Sequence, residues 1–324
     1  MSNFFNLLKT FIKTTELTSA EKKRSKHFYT IMGTAVVLLI MIPAGALVGI
    51  ITYALTLGVM TYGGATQGAE VILHIISILS VVFGINVIIN IFYFSNDIEN
   101  LIPLPLKPRE IVSAKFAYSL LSENIMEFIL ILGACVGFMS AKGFSLTGVI
   151  TSIIGILTVP IIPLAYCGII AVIFMYFTHS VKNRDFLNKI TGIGTAVLIV
   201  GALVALVSIS GFNPDAIVTS LASADNGFLN VMNFIFPHIP LMMDSISSES
   251  VYQLLLYLLA NVIFVAVFLF LASKMYIKGV SDINTTKSKR SKSIASQAVE
   301  KSTQKGVFAS YLKKEFLILF RTPP

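Results

Sequence analysis

The chain has 324 residues, of which 55% are hydrophobic and only 12% are charged, and its mean hydropathy is +0.84. Soluble globular proteins carry about 25% charged residues, so this composition excludes an ordinary soluble fold and is typical of a protein that lies in a bilayer. The net charge of +8 reflects membrane topology, and we expect no nucleic-acid partner.

Six apolar stretches are long enough to cross the hydrocarbon core, which requires about 20 residues in a helix. The first contains Pro43 and is overlong, so a tilt or kink is expected, and the fourth contains Pro160 and Pro163. The sequence therefore predicts an all-α fold, a polytopic bundle of six transmembrane helices. In chain order the six predicted spans are 31–60, 71–94, 116–139, 148–177, 190–210 and 251–272.

The positive charges predict the orientation of the bundle. Of the 24 Lys and Arg residues, all except Lys142 fall in segments that six alternating spans place on one side of the membrane. Short segments rich in Lys and Arg stay in the cytoplasm. The N-terminus is therefore expected to be cytoplasmic.

The first 30 residues predict a helix that lies in the cytoplasmic interface. Lys9 and Lys13 are four residues apart and share one helix face, where they can reach anionic headgroups. The apolar residues around these lysines recur at helical spacing, as they do in interfacial amphipathic helices. These apolar residues are Phe4, Phe5, Leu7, Leu8, Phe11 and Ile12.

The loop after the second span, residues 95–115, combines a proline-stiffened apolar stretch with a helix start. Pro108 is expected in the first turn of the next helix. Exposed apolar side chains in a stiff segment indicate a docking surface, although the alternative is that they lie against the membrane or the bundle. The apolar residues in question are Leu101, Ile102, Leu104 and Leu106.

The outer segment 211–250 contains no Lys or Arg. Its apolar middle, residues 228–243, is interrupted by Pro237 and Pro240 and is too short to span. It is predicted to be a re-entrant or surface-lying helical segment. The alternative is an ordinary loop that packs on the bundle.

Polar side chains inside the spans are candidates for a translocation path. Asn86 and Asn90 are four residues apart on the second span, and Glu123 and Glu127 are four apart on the third. Carboxylates within a membrane are costly and mark a function or a buried partner. Two small-residue motifs, Gly45-x3-Gly49 and Gly133-x3-Gly137, would allow close helix contact.

Catalytic and metal-binding motifs are missing from the sequence. There is no Gly-x4-Gly-Lys-Ser/Thr phosphate-binding loop, so the chain is not expected to hydrolyse ATP itself. The four histidines fall in separate segments, and no Cys or His cluster has the spacing of metal ligands. We expect no enzyme activity and no metal site.

The C-terminal part has two sections. Residues 273–306 are basic and rich in Ser and Thr, as in a cytoplasmic linker. Residues 307–324 begin a new amphipathic helix, and four of its positions match the N-terminus at an offset of 304. We expect this to be the start of a second, truncated membrane unit.

Taken together, these features resemble the permease subunits of ABC-2 type ATP-binding-cassette exporters. The shared features are an N-terminal interfacial elbow helix, six spans, a cytoplasmic coupling helix after the second span, and an outer re-entrant segment. The Pro-Leu-Pro-Leu-Lys-Pro motif at 103–108 and the motifs Leu-Lys-Lys-Glu (312–315) and Phe-Arg-Thr-Pro (320–323) are similar to a long permease subfamily of low-GC Gram-positive bacteria. In that subfamily two six-span units are fused.

The resemblance implies a permease in a bacterial cytoplasmic membrane that works with a separate ABC ATP-binding subunit. That subunit would bind ATP and Mg, so this chain itself would hold no cofactor, and its partners would be the ATPase, membrane lipid and a second permease unit in cis or in trans. The contact with the ATPase would be made by Asp97, Leu104, Leu106, Lys107, Arg109 and Glu110.

Two other classes of function share this topology. A proton-coupled secondary transporter could use Glu127 as its proton site. A non-transporting membrane scaffold or immunity protein would need neither an ATPase nor a proton site.

Overall fold

A computed structural model describes residues 2–17, 25–93, 106–177, 196, 214–222 and 226–300, and side chains within 4–12, 39–92, 106–173, 196, 215, 218–222 and 226–275. Every regular element in these ranges is a helix. The helices are α1 (Ser2–Leu17), α2 (Ser25–Thr61), α3 (Gln67–Ile88), α4 (Pro108–Lys142), α5 (Leu146–Thr158), α6 (Ile161–Phe177), α7 (Pro214–Ala222), α8 (Gly227–Ile235), α9 (His238–Ser248) and α10 (Val251–Glu300). A π-helical turn, Ile89–Tyr93, follows α3 directly.

The chain divides into two compact units, Met1–Gly279 and Val280–Pro324. The first unit contains all the contacts described below. Helix α10 continues to Glu300, through most of the stretch for which the composition predicts a linker. The predicted second membrane unit, residues 307–324, lies outside the described residues.

Among the described residues, five stretches of helix are long and apolar enough to cross a membrane, which indicates an all-α membrane protein. They agree with the first four predicted spans and the last, while the predicted span 190–210 lies outside the described residues except for position 196. The fourth span is interrupted at Val159–Pro160, between α5 and α6, next to the first of its two prolines. The five stretches are Leu39–Thr61, Gln67–Phe92, Pro108–Lys142, Leu146–Ile173 and Val251–Met275.

The two small-residue motifs meet each other in the structure. A Cβ atom on Gly49 would lie 3.0 Å from the carbonyl oxygen of Gly133, and one on Gly45 would lie 2.7 Å from that of Ile129. In return, a Cβ on Gly133 or Gly137 would meet the carbonyl oxygens of Gly45 and Gly49. Helices α2 and α4 therefore touch backbone to backbone, which only glycine permits at these positions.

Helix α3 lies at the centre of the unit and contacts α2, α4, α6, α8 and α9. Its face between α4 and the outer helices belongs to one hydrophobic core. Apolar packing on several sides explains why α3 is half buried within the protein, whereas the first and last spans are mostly exposed on the surface of the unit. The fully buried members of this core include Leu73, Ile131, Phe138, Ile162, Met242 and Tyr257.

The outer segment forms three short helices, α7 to α9. Asn226 caps the start of α8 because its side-chain oxygen accepts a hydrogen bond from the backbone of Leu229 at 3.1 Å. Lys142, the one cation outside the predicted cytoplasmic segments, lies at the C-terminal end of α4 and donates to the Ser247 hydroxyl of α9. The location of this segment relative to the bilayer stays a prediction.

The N-terminal helix α1 packs along α4. Leu7 and Phe11 are buried, whereas Phe5 and Ile12 are exposed. The ring of Phe11 lies 6.3 Å from that of Tyr118 on α4. Its amphipathic character agrees with an interfacial helix, and its position at the membrane surface stays a prediction.

The end of α3 and the start of α4 are joined by a buried lysine. Lys115 is completely buried, and its Nζ atom donates to the carbonyl oxygen of Ile91 in the π-turn at 2.9 Å. The same Nζ lies 5.8 Å from the centre of the Phe11 ring. Lys115 thus connects α1, the π-turn and α4 at one point.

We predict that the glycine contact is essential for stability. Gly133→Ala or Gly137→Ala should lower the free energy of unfolding by about 1–3 kcal/mol, because the added methyl group collides with a backbone that cannot move aside. Reversible unfolding of the purified protein in detergent measures the effect. Gly227→Ala is the matched control, since a Cβ there meets nothing within 4 Å. Equal stability of all three variants would contradict the contact.

Candidate functional site

A line of polar side chains runs along the buried side of α3. We call Glu70, His74, Ser77 and Ser80 the polar stripe. Their spacing of four, three and three residues places them on one face of the helix. Glu70 is 5% exposed and the other three are completely buried. An apolar helix that keeps four polar groups on its buried face requires an explanation beyond packing.

The outer end of the polar stripe is tied to the outer helices. Asn233 on α8 lies with its Oδ1 atom 2.7 Å from Nε2 of His74, and it also interacts with Glu70. The Thr66 hydroxyl donates to the Glu70 carboxylate. Asp244 on α9 acts on Glu70 electrostatically. The polar stripe and the outer segment therefore form one network.

The inner end of the polar stripe meets the two glutamates of α4. Glu123 is completely buried and Glu127 is 4% exposed. Ser80 faces Glu127. The Glu123 carboxyl carbon lies 4.0 Å from where a Cβ on Gly84 would be, so Gly84 leaves room for this acid. The third and second spans thus bring together acids and hydroxyls that are far apart in sequence.

The acid pair has no cation beside it among the described residues. Both carboxyl oxygens of Glu123 are buried without a hydrogen-bond partner there, as are the Ser77 hydroxyl and the Nδ1 atom of His74, and Glu127 faces only the neutral Ser80 hydroxyl and the Glu123 carboxyl group. Burial of an unpaired carboxylate costs several kcal/mol. The pair therefore needs a compensating proton or cation. Among the described side chains, no group of three His, Cys, Asp or Glu is placed to hold a metal ion.

The predicted path residues Asn86 and Asn90 behave differently from the glutamates. Asn86 donates to the carbonyl of Val82 at 3.4 Å, and Asn90 donates to that of Asn86 at 2.8 Å. Asn86 lies on the side of α3 roughly opposite the polar stripe. The structure joins Glu123 and Glu127 to this stripe, and it places Asn86 on another face.

The predicted ATPase contact is described in part. Lys107 and Arg109 are exposed at the start of α4, while Leu106 and Glu110 are half buried. The Glu110 carboxylate accepts a hydrogen bond from the Lys107 backbone at 3.1 Å, and Pro108 is the first helical residue, as predicted. We call residues 106–110 the basic edge. The predicted contact residues Asp97 and Leu104 lie outside the described residues.

Sequence reasoning missed the polar stripe. It began the second span at residue 71, which left Glu70 in the outer loop, and it treated the histidines as unrelated. The available signal was the spacing of Glu70, His74, Ser77 and Ser80, which repeats like one face of a helix. The link to Asn233 had no local signal, because 159 residues separate it from His74.

His238, at the start of α9, is a second buried histidine near the polar stripe. Its ring stacks on that of Tyr257 at a centroid distance of 6.3 Å and also faces the backbone of Val159. Burial, with a smaller contribution from His74, lowers the pKa of His238 to about 3. The ring is therefore neutral at physiological pH.

No family model, no curated protein and no solved structure matches the chain.

We predict that His238 makes the native state sensitive to acid. The pKa of His238 falls from 6.5 when unfolded to about 3 when folded. The contribution of the neutral ring to the free energy of unfolding is therefore complete above pH 6.5 and is lost as the pH falls towards 3. The loss is about 1.4 kcal/mol per pH unit. Unfolding in detergent at about one pH unit above and one below 6.5 measures it.

His238→Phe is the matched variant, since it keeps an aromatic ring beside Tyr257 and cannot take up a proton. Its stability should depend less on pH than that of the unmodified protein. The same pH dependence in both proteins would contradict the assignment.

Proposed function

We propose that the chain is a membrane-spanning permease subunit of an ATP-binding-cassette exporter, driven by a separate ATPase subunit. The observation that carries the proposal is the basic edge: two exposed cations and a half-buried leucine at the start of α4. A partner that binds this edge from the cytoplasm would contact α4 directly. ATP and Mg would be bound by that partner.

Helix α4 is suited to transmit force from such a partner. It runs without interruption from Pro108 to Lys142, a length of about 52 Å at 1.5 Å per residue. Its start lies in the basic edge, its middle carries Glu123 and Glu127, and its end contacts α9 through Lys142. A push on the basic edge would therefore reach the acid pair and the outer segment through one rigid element.

The remaining parts of the proposal concern the assembly. The chain would lie in a bacterial cytoplasmic membrane with its N-terminus inside, as the distribution of Lys and Arg predicts. Six spans form one half of a translocation path, so a second permease unit would complete it in cis or in trans. The exposed apolar faces of the first and last spans are suited to lipid or to this second unit.

We predict that negative charges in the basic edge weaken binding of the ATPase subunit. Leu106→Glu combined with Arg109→Glu should reduce co-purification of the ATPase subunit from native membranes at least about tenfold, because a loss of about 1.4 kcal/mol in binding already gives that factor. Quantitative mass spectrometry of the tagged protein measures it.

The control is Lys274→Glu, which reverses an exposed cation near the end of the last span. Cysteine labelling from each side verifies that every variant inserts in the same orientation. Equal recovery of an ATPase with both variants would exclude the basic edge as the contact, and recovery of no ATPase with the unmodified protein would overturn the exporter.

The buried acid pair favours a second candidate, a proton-coupled secondary transporter. Such a protein needs an acid within the membrane whose charge is compensated only when a proton is bound. Glu127 meets this requirement, because it is buried next to Glu123 and faces only the neutral hydroxyl of Ser80, with no cation beside it in the described part of the structure. No ATPase would be required for this function.

We predict that Glu127 carries proton binding if the second candidate is correct. A pH jump applied to reconstituted protein on a solid-supported membrane should produce a transient current, which Glu127→Gln abolishes. Glu110→Gln, in the half-buried basic edge, is the control and should keep the current. A current that persists in Glu127→Gln would exclude this site.

A further inference from the structure

The polar stripe and the acid pair form a continuous series of buried polar groups. From Glu70 to Gly84, α3 advances about 21 Å, which is most of the hydrocarbon thickness. Neighbouring members of the stripe are separated by about 4.5–6 Å of helix rise, a gap that side-chain reach or one water molecule can bridge. The series begins beside the outer helices and ends at Glu123.

The members of this series share an unusual property. Nearly all buried polar groups in native proteins have a hydrogen-bond partner, and Thr52 and Thr56 on α2 follow this rule by bonding to their own helix at 2.8 and 2.7 Å. In contrast, Ser77 and Glu123 have no partner among the described residues, Ser80 and Glu127 face each other, and His74 keeps Nδ1 open. Proton transfer requires neighbouring groups in space that can each take up and release a proton.

We propose that α3 and α4 contain a proton path that leads from Glu70 at the outer end, through His74, Ser77 and Ser80, to Glu127 and Glu123. The inference deepens the second candidate function and rests on it for the role of Glu127 as the destination. It adds the route by which the proton arrives and the side of the membrane from which it comes.

The transfer at His74 follows from its contact with Asn233. Because Oδ1 of Asn233 accepts, Nε2 of His74 carries the hydrogen and Nδ1 is left with a lone pair. A proton leaving the Glu70 carboxyl group binds Nδ1 and gives an imidazolium beside a Glu70 carboxylate. The imidazolium then gives up the Nδ1 proton to the next acceptor and returns to the neutral ring.

The serine steps conserve protons as well. Each hydroxyl accepts one proton and releases its own, so that Ser77 and Ser80 are unchanged after the transfer. The proton finally binds a carboxylate oxygen of Glu127, and the net result is the movement of one proton from Glu70 to Glu127.

Other groups face this path from the neighbouring helices. Thr66, Asn233 and Asp244 act on Glu70, and His238 lies close enough to His74 to be affected by its charge. At the inner end, Cys167 on α6 lies near both glutamates and donates to the Val81 carbonyl at 3.3 Å. Lys142 acts on Asp244 and so on the outer end only indirectly.

The experiment measures the protonation of the acid pair by infrared spectroscopy on oriented vesicles that contain the full chain. Glu127→Gln and Glu123→Gln assign the carboxyl bands. A jump of the outer pH, with the inner pH held constant, should change the Glu127 band. Ser80→Ala and His74→Phe should slow that change at least about tenfold, because each removes a proton-transfer group.

Ser152→Ala is the matched control, since Ser152 is a buried serine on α5 that lies away from the series and contacts the sulfur of Met139 at 3.8 Å. It should respond as the unmodified protein does. Should His74→Phe fail to insert, Ser80→Ala decides alone, because it removes only one oxygen atom.

The outcomes separate the path from the function on which it rests. If the Glu127 band responds to the outer pH equally fast in Ser80→Ala and in the unmodified protein, the path is wrong while Glu127 remains a proton site. If the band responds to the inner pH only, the path has the wrong direction. If no band depends on Glu127, both the path and the second candidate function are overturned.

Discussion

The backbone contact between α2 and α4 determines where α4 lies, and most other features depend on that helix. Four glycines let the two backbones touch directly, so dispersion contacts between them replace the hydrophobic driving force that lipid does not supply. From this fixed position α4 presents Lys115 to the π-turn, Glu123 and Glu127 to α3, and Lys142 to α9. A shift of α4 would disturb all three contacts together.

Polar groups within the bundle fall into two kinds, and the difference is a matter of partners. Thr52 and Thr56 on α2 and Asn86 on α3 donate hydrogen bonds to carbonyl groups of their own helix, so their burial costs little. Ser77 and Glu123 have no such bond among the described residues, and Ser80 and Glu127 face each other across two helices. Burying such polar groups inside a membrane costs free energy. A role in the movement of an ion or a substrate is the simplest physical reason for keeping them there.

Much of the architecture could be predicted from the sequence, because hydropathy and length determine which segments become spans. The helix start at Pro108 and the break near Pro160 follow from the backbone of proline. The pairing of Gly45 and Gly49 with Gly133 and Gly137 could not be predicted, since such motifs also arise by chance in an apolar chain. The polar stripe was missed for a related reason: its partners come from α4, α8 and α9, and no periodicity within one segment records which helix will lie opposite.

The π-turn has a consequence for how the chain leaves the second span. A π-helical turn contains about one residue more than an α-helical turn, so a change to regular α geometry would rotate whatever follows by about 100°. Lys115 donates a hydrogen bond to the Ile91 carbonyl inside this turn. This bond favours the π-helical geometry over the α-helical one. A single-residue deletion between 89 and 93 would therefore change the direction in which the chain leaves the second span, rather than only remove one side chain.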